Sequence, residues 1–296
     1  MPFLLLWRLK KGALTTWSLD EESREMSYNV IVPLDGSITA ERAILPALEL
    51  ARRRLGVLRF VQVLPAGAEA LPETREYLKS KVDLCHESEV QAAYEILWGE
   101  PFEILLQQAA NSDVVVMSSH GRSGFDRFML GSVAEKVVRR ASCPILVVRS
   151  SAVYLDHLKR ILVPLDGSDF SVKALPEASS LAQTSGATLV LARIVEPTNV
   201  HPRYVPEHEP QEQARQVDGY LNEVKSRVDS SIPVEIVHGF GSPSRVLLEL
   251  AESQNIDLVV MATHGRSGLD RFFLGSVAEN LLRTSQTPVL LVSVRD

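Results

Sequence analysis

Two stretches of this chain occur twice, and a chain that repeats itself folds as copies of one unit. Val32-Pro33-Leu34-Asp35-Gly36-Ser37 returns unchanged as Val163-Pro164-Leu165-Asp166-Gly167-Ser168, 131 residues further on. A longer block, His120 to Glu135, returns as His264 to Glu279 at an offset of 144, with Phe125 and Met129 replaced by Leu269 and Phe273. The offsets differ by 13 residues, so the second copy carries extra residues between its blocks. Their expected place is the Pro- and His-rich stretch Glu196 to Pro210, as a longer loop rather than a new domain.

Within each copy, short Val/Ile-rich runs alternate with amphipathic stretches, which predicts parallel strands joined by helical crossovers. In the first copy strands are expected at Asn29 to Leu34, Val57 to Leu64, Val90 to Leu97, Asp113 to Met117 and Pro144 to Val148. Helices are expected over Ala40 to Leu55, with Ile44, Leu45, Ala47, Leu48 and Ala51 on one face, over Glu73 to Cys85, over Phe102 to Ala110, and from Gly131-Ser132. The second copy matches at Ile161 to Leu165, Thr188 to Ile194, Val234 to Val237, Leu258 to Met261 and Pro288 to Val292. Strands apolar on both faces suit a sheet covered by helices on each side. The expected fold is α/β: two tandem doubly wound five-stranded parallel-sheet domains, at residues 28–150 and 158–296.

Length and composition agree. A chain of 296 residues is long enough for two such cores, and 45% hydrophobic with 23% charged residues is ordinary for a water-soluble globular protein. A net charge of -6 argues against a general affinity for nucleic acid or an anionic membrane. Cys85 and Cys143 show neither Cys-x-x-Cys nor His-associated spacing, so reduced thiols in a cytoplasm are expected. Residues 1–27 read as a flexible extension, or as a start placed upstream of Met26, with a membrane-touching tail as the alternative. The run Phe3 to Trp7 is too short for a signal peptide or a membrane span, and its basic residues Arg8, Lys10 and Lys11 follow it.

Both repeated blocks follow strands, and ligands of open parallel sheets bind beyond the strands' carboxyl ends, where the winding reverses. Should the strands before Asp35 and before Ser118 be neighbours, their loops face one crevice. Gly121, Gly124 and Gly131 let backbone approach an anion, and Gly131-Ser132 at a helix start offers N–H groups, a hydroxyl and the positive end of the helix dipole. Arg122 and Arg127 add charge, and Asp35 suits ribose hydroxyls or an adenine amino group. Arg266 and Gly268 are the counterparts of Arg122 and Gly124 in the second copy. Glycine-led helix caps and an Asp turning out of a strand also occur in folds that bind nothing.

Met117-Ser118-Ser119-His120-Gly121, nine residues, then Gly131-Ser132, preceded by Val-Pro-Leu-Asp-Gly-Ser, resembles the ATP-binding branch of the universal stress protein family, over nearly all of Tyr28 to Val294. The resemblance implies a Rossmann-like fold of the adenine nucleotide alpha hydrolase type. It implies adenine and ribose contacts from Pro33, Asp35 and Val63, and from Pro164, Asp166 and Ile194. It assigns phosphates to Gly121, Gly131, Ser132 and Val133, and to Gly265, Gly275, Ser276 and Val277. Ser118 and Ala262 stand where the family motif carries glycine, which points to poorer affinity in one copy. His120 and His264 are expected to shape the loop through hydrogen bonds.

Neither G-x-G-x-x-G nor G-x-x-x-x-G-K-[ST] follows the first strand, which argues against a dinucleotide oxidoreductase and a P-loop NTPase. Three readings stay open: an ATP-binding regulator of the stress response with slow or no hydrolysis, a nucleotide-free interaction scaffold, and a slow ATPase or autophosphorylating protein. ATP would bring Mg²⁺ or Mn²⁺ held mainly by its phosphates. In the resembled family the last strands join two domains, so an intrachain pseudo-dimer is expected, with a homodimer of chains as a further step.

Overall fold

The computed structural model describes residues 14–15, 27–86, 88–119, 130–149, 158–196, 209–263 and 274–293. The chain divides into two compact units, Met1–Asp156 and His157–Asp296. In the first, β2 (Asn29–Pro33), β3 (Val57–Leu64), β4 (Gln91–Trp98), β5 (Val114–Ser118) and β6 (Ile145–Val148) run parallel in the order β4-β3-β2-β5-β6. In the second, β7 (Arg160–Pro164), β8 (Thr188–Val195), β9 (Val234–Phe240), β10 (Leu258–Ala262) and β11 (Val289–Val292) repeat it as β9-β8-β7-β10-β11. Both expected sheets form, each with the mixed α/β, doubly wound order.

Helices cover these sheets. The first unit carries α1 (Ile38–Glu41), α2 (Ile44–Arg53), α3 (Pro72–His86), α4 (Pro101–Ala109) and α5 (Ser132–Arg140). The second carries α6 (Asp169–Val172), α7 (Leu175–Ser185), α8 (Glu209–Lys225), α9 (Pro243–Ser253) and α10 (Ser276–Thr284). The central strands are apolar and buried: Val30, Ile31, Val32, Val114, Val115 and Val116 are 0% exposed, as are Ile161, Leu162, Val163, Val259 and Val260.

Four sequence expectations are revised, one of them in part. The single helix over Ala40 to Leu55 is two, broken at Arg42 and Ala43. Pro46 has no N–H to return to the Arg42 carbonyl, and Pro176 does the same in the second unit, where α6 and α7 are split. Leu45, placed on the buried face, is 45% exposed. The largest share of the second copy's extra residues falls where expected, in the β8–α8 connection 196–208 against 65–71, but others lie elsewhere: α9 has 11 residues where α4 has 9, and the α8–β9 connection 226–233 is longer than its counterpart 87–90. Within the stretch read as a flexible extension, Leu14–Thr15 form β1, antiparallel to β4 with Leu14 opposite Ile96 and Thr15 opposite Glu95. It pairs with the outer edge of β4 at Glu95 and Ile96, where an edge strand presents backbone groups that lack strand partners.

Candidate functional site

The winding reverses between β2 and β5, which are hydrogen-bonded neighbours, with Val30 opposite Val114 and Ile31 opposite Val115. The Asp35 turn and the Ser118-Ser119 strand end therefore leave the sheet side by side. Asp35 accepts from Ser37 N–H at 3.0 Å and Ser37 Oγ at 2.6 Å, while Ser37 Oγ accepts from Ala40 N–H at 3.2 Å and caps α1. Asp166 and Ser168 repeat the arrangement at 2.9 and 2.6 Å, and Ser168 Oγ accepts from Ser171 N–H at 3.3 Å. Between them Gly36 and Gly167 adopt φ values of +82° and +87°, which L side chains avoid. A Cβ on Gly167 would also lie 2.7 Å from Arg193 Nη2.

The other wall is the start of α5. Ser119 donates to Val148 O at 2.9 Å, and Gly131 N–H donates to Ser119 O at 2.7 Å, so the chain returns to the strand end it left. Thr263 and Gly275 do the same at 3.1 and 3.0 Å. Gly131 and Gly275 cap their helices without any side chain, and the first backbone bonds run from Glu135 to Gly131 O and from Glu279 to Gly275 O. The preceding N–H groups have no intrahelical acceptor and point out of the helix end.

A cavity of about 310 Å³ opens between these walls. Pro33, Asp35, Val61, Val63, Met117 and Ser118 line it from the strand ends, and Gly131, Ser132 and Val133 from the helix opening. The structure thus brings together Pro33, Asp35, Val63, Ser118, Gly131, Ser132 and Val133. Its size falls in the range of small-molecule sites. In the second unit the equivalent elements carry Pro164 at the end of β7, Ile194 on β8 beside Gly239, Ala262 at the end of β10, and Gly275, Ser276 and Val277 at the start of α10. Gly121, Arg122, Gly124, Gly265, Arg266 and Gly268, with His120 and His264, lie outside the described residues.

Pro101 and Leu105 also line the cavity, and sequence reading did not single them out. A third repeat marks their position. Gly99-Glu100-Pro101 reappears as Gly241-Ser242-Pro243, each glycine donating to the neighbouring strand, to Leu64 O at 2.9 Å and Val195 O at 3.0 Å. Their φ values of +145° and +133° are glycine-favouring, and an added Cβ would meet Ile104 at 3.2 Å or Val246 at 3.3 Å. Among the described residues no group of three or more His, Cys, Asp or Glu side chains is placed to hold a metal ion. No helix among them is long and apolar enough to cross a membrane.

Two tandem Rossmann-like units, each with its repeated turns at the switch point of a parallel sheet, define the class. The universal stress protein family model matches residues 26–149 and again 157–293, and the chain belongs to that family in its tandem form. Universal stress protein Rv2005c of Mycobacterium tuberculosis is 26% identical over 291 residues, covering 89% of this chain and 96% of that protein. Universal stress protein MJ0531 of Methanocaldococcus jannaschii is 31% identical over 144 residues, covering 45% of this chain and 81% of its own. The crystal structure of a universal stress protein from Archaeoglobus fulgidus superposes with a TM-score of 0.68 at 18% identity, covering 90% of this chain and 99% of the other, which shows the fold.

Proposed function

We propose that this protein is a cytoplasmic, adenine-nucleotide-binding regulator, each unit holding one ATP or related nucleotide. Family membership supports a role in the stress response. The observation that carries the nucleotide reading is the cavity that joins the Asp35 turn to the bare opening of α5. Apolar Pro33, Val61, Val63 and Leu105 suit a purine face, Asp35 suits ribose hydroxyls, and the N–H groups of Ser132 and Val133 suit phosphate oxygens. Mg²⁺ or Mn²⁺ would be held mainly by the phosphates. Asp35 is the one acid among the described lining residues, and its Oδ1 already accepts two hydrogen bonds from Ser37. Hydrolysis is accordingly expected to be slow, far below the roughly 10 per second typical of enzymes.

The scaffold reading has one observation in its favour: the Asp turns of both units are satisfied internally. Mass spectrometry of nucleotide released from protein purified without added ligand separates the two. The nucleotide reading expects an adenine nucleotide in the released fraction. Protein that emerges empty and stays empty when ATP is added belongs to the scaffold reading.

A further inference from the structure

The two units differ at the outer edges of their sheets. In the first, β1 lies antiparallel on β4 with Leu14 opposite Ile96, and Ile96 is 0% exposed. Further along that edge, the Trp98 indole N–H donates to Ala68 O at 2.7 Å and fixes the ring. Ile96 lies beside Gln62 and His238 beside Arg193, and Gln62 and Arg193 are related by the 131-residue offset of the first repeat. The counterparts of Ile96 and Trp98 on β9 are therefore His238 and Phe240. Among the described residues no strand lies on the outer side of β9, and Phe240 is 44% exposed.

Alternation along β9 decides which backbone groups are open. Pro233 O accepts from Leu189 N–H at 2.8 Å and Gly241 N–H donates to Val195 O at 3.0 Å, so the groups of Glu235, Val237 and Gly239 face β8. Those of Val234, Ile236, His238 and Phe240 face outward. Val234 O is occupied, accepting from Lys225 Nζ at 3.0 Å. The N–H and C=O groups of Ile236, His238 and Phe240 meet no partner among the described residues. The side chains of these three residues share one face of the sheet, on which His238 Nδ1 lies 2.7 Å from Asp218 Oδ1 of α8. The His238 and Phe240 rings meet edge to face there, with centroids 6.2 Å apart.

We propose that β9 is an interaction surface for a second copy of this chain, pairing antiparallel with that copy's β9 about a twofold axis at His238. An open strand edge is a template for another strand, and the first unit's equivalent edge takes an antiparallel one. The edge itself selects the occupant. Only the register centred on His238 uses all three open residues and leaves the Lys225-blocked Val234 outside the ladder. That register exchanges two hydrogen bonds at each of three pairs. It sets Ile236 of each copy opposite Phe240 of the other, an aromatic against a β-branched side chain, which is a favourable cross-strand pair. Glu235 falls opposite Gly241 and keeps its own Arg160, while each His238 keeps its own Asp218. The ladder is short, so a reversible dimer is expected, in the class of interfaces below about 1,200 Å². The surface is independent of the nucleotide reading and distinct from the last strands β6 and β11.

The test is sedimentation velocity of the full chain from about 5 to about 500 μM, a range that reads weak association directly. The mass should rise from 32.7 kDa toward twice that value. Over the same range the amides of Ile236, His238 and Phe240 should exchange with solvent several-fold more slowly at high concentration than at low. Ile236→Pro removes one outward N–H and leaves the bonds to β8 in place, so it should weaken the dimer about tenfold or more. Phe240→Lys, an exchange at an exposed side chain, should weaken it as well and covers the case in which proline disturbs the strand. A chain that stays monomeric at every concentration would overturn the proposal. So would a dimer that both variants leave intact, or one whose formation does not slow exchange at these three amides.

Discussion

Gly131→Val separates ligand binding from folding, because the native backbone at this residue needs no glycine. Its φ and ψ of -58° and 145° lie in the extended region open to any residue, and valine is at home there. Its N–H bond to Ser119 O at 2.7 Å and the bond its carbonyl accepts from Glu135 at 2.8 Å involve backbone alone and survive the change. What valine adds is a branched side chain in front of the helix opening, where a phosphate must reach the N–H groups of Ser132 and Val133. Hydrogen bonds to charged groups contribute roughly 1.5–3 kcal/mol each, so losing two costs about 3–6 kcal/mol, or two to four decades in affinity. Calorimetry with ATP should show that loss in the first unit while the second keeps its site, and ligand-free thermal unfolding should hardly move. Gly275, at -58° and 144°, should behave in the same way for the second unit. An ATP affinity unchanged in both variants would refute the assignment of the phosphates to these helix openings.

Two further predictions concern stability. Leu55 is 90% exposed at a φ of +51°, where the second unit has Gly186 at +71°. Relief of left-handed strain, less the greater unfolded-state freedom of glycine, gives an expected gain of about 0.5–1 kcal/mol for Leu55→Gly and a loss of about 1–2 kcal/mol for Gly186→Leu in urea unfolding. A destabilised Leu55→Gly would show that the exposed leucine makes a contact worth more than its strain. Burial pushes the Cys85 thiol up from 9.0 to about 12. Both states keep the proton below about pH 9; above it the unfolded thiol ionises first, so its contribution to stability falls between about pH 9 and 12. The stability of Cys85→Ala should therefore decline less steeply over that window than the wild type's, and parallel curves would contradict the assigned shift.

The strand frame was legible because apolar runs such as Val30 to Val32 and Val114 to Val116 have one use in a chain of this kind, as doubly covered parallel strands. The helix break before Pro46 was legible in principle, since proline's missing N–H marks it, but the amphipathic pattern runs straight through and hid it. The β1 pairing was not legible: Leu14–Thr15 are two residues whose partner, β4, lies some eighty positions away, and nothing local encodes an edge contact of that kind. At the site, Asp35 and Gly131 could be read from the duplication, and Ser118 from the family motif. Leu105 could not, because a residue lining a cavity and a residue filling a core share the same apolar pattern. Pro101 lay between, flagged by a Gly-x-Pro repeat too short to stand out without the positive φ of Gly99 and Gly241.

The most direct test of the central claim is the number of adenine nucleotides one chain binds. Calorimetric titration of ATP with Mg²⁺ into nucleotide-stripped protein, checked by native mass spectrometry against the 32.7 kDa chain, should reach two per chain. Saturation at zero, with the fold intact by circular dichroism, would contradict the account.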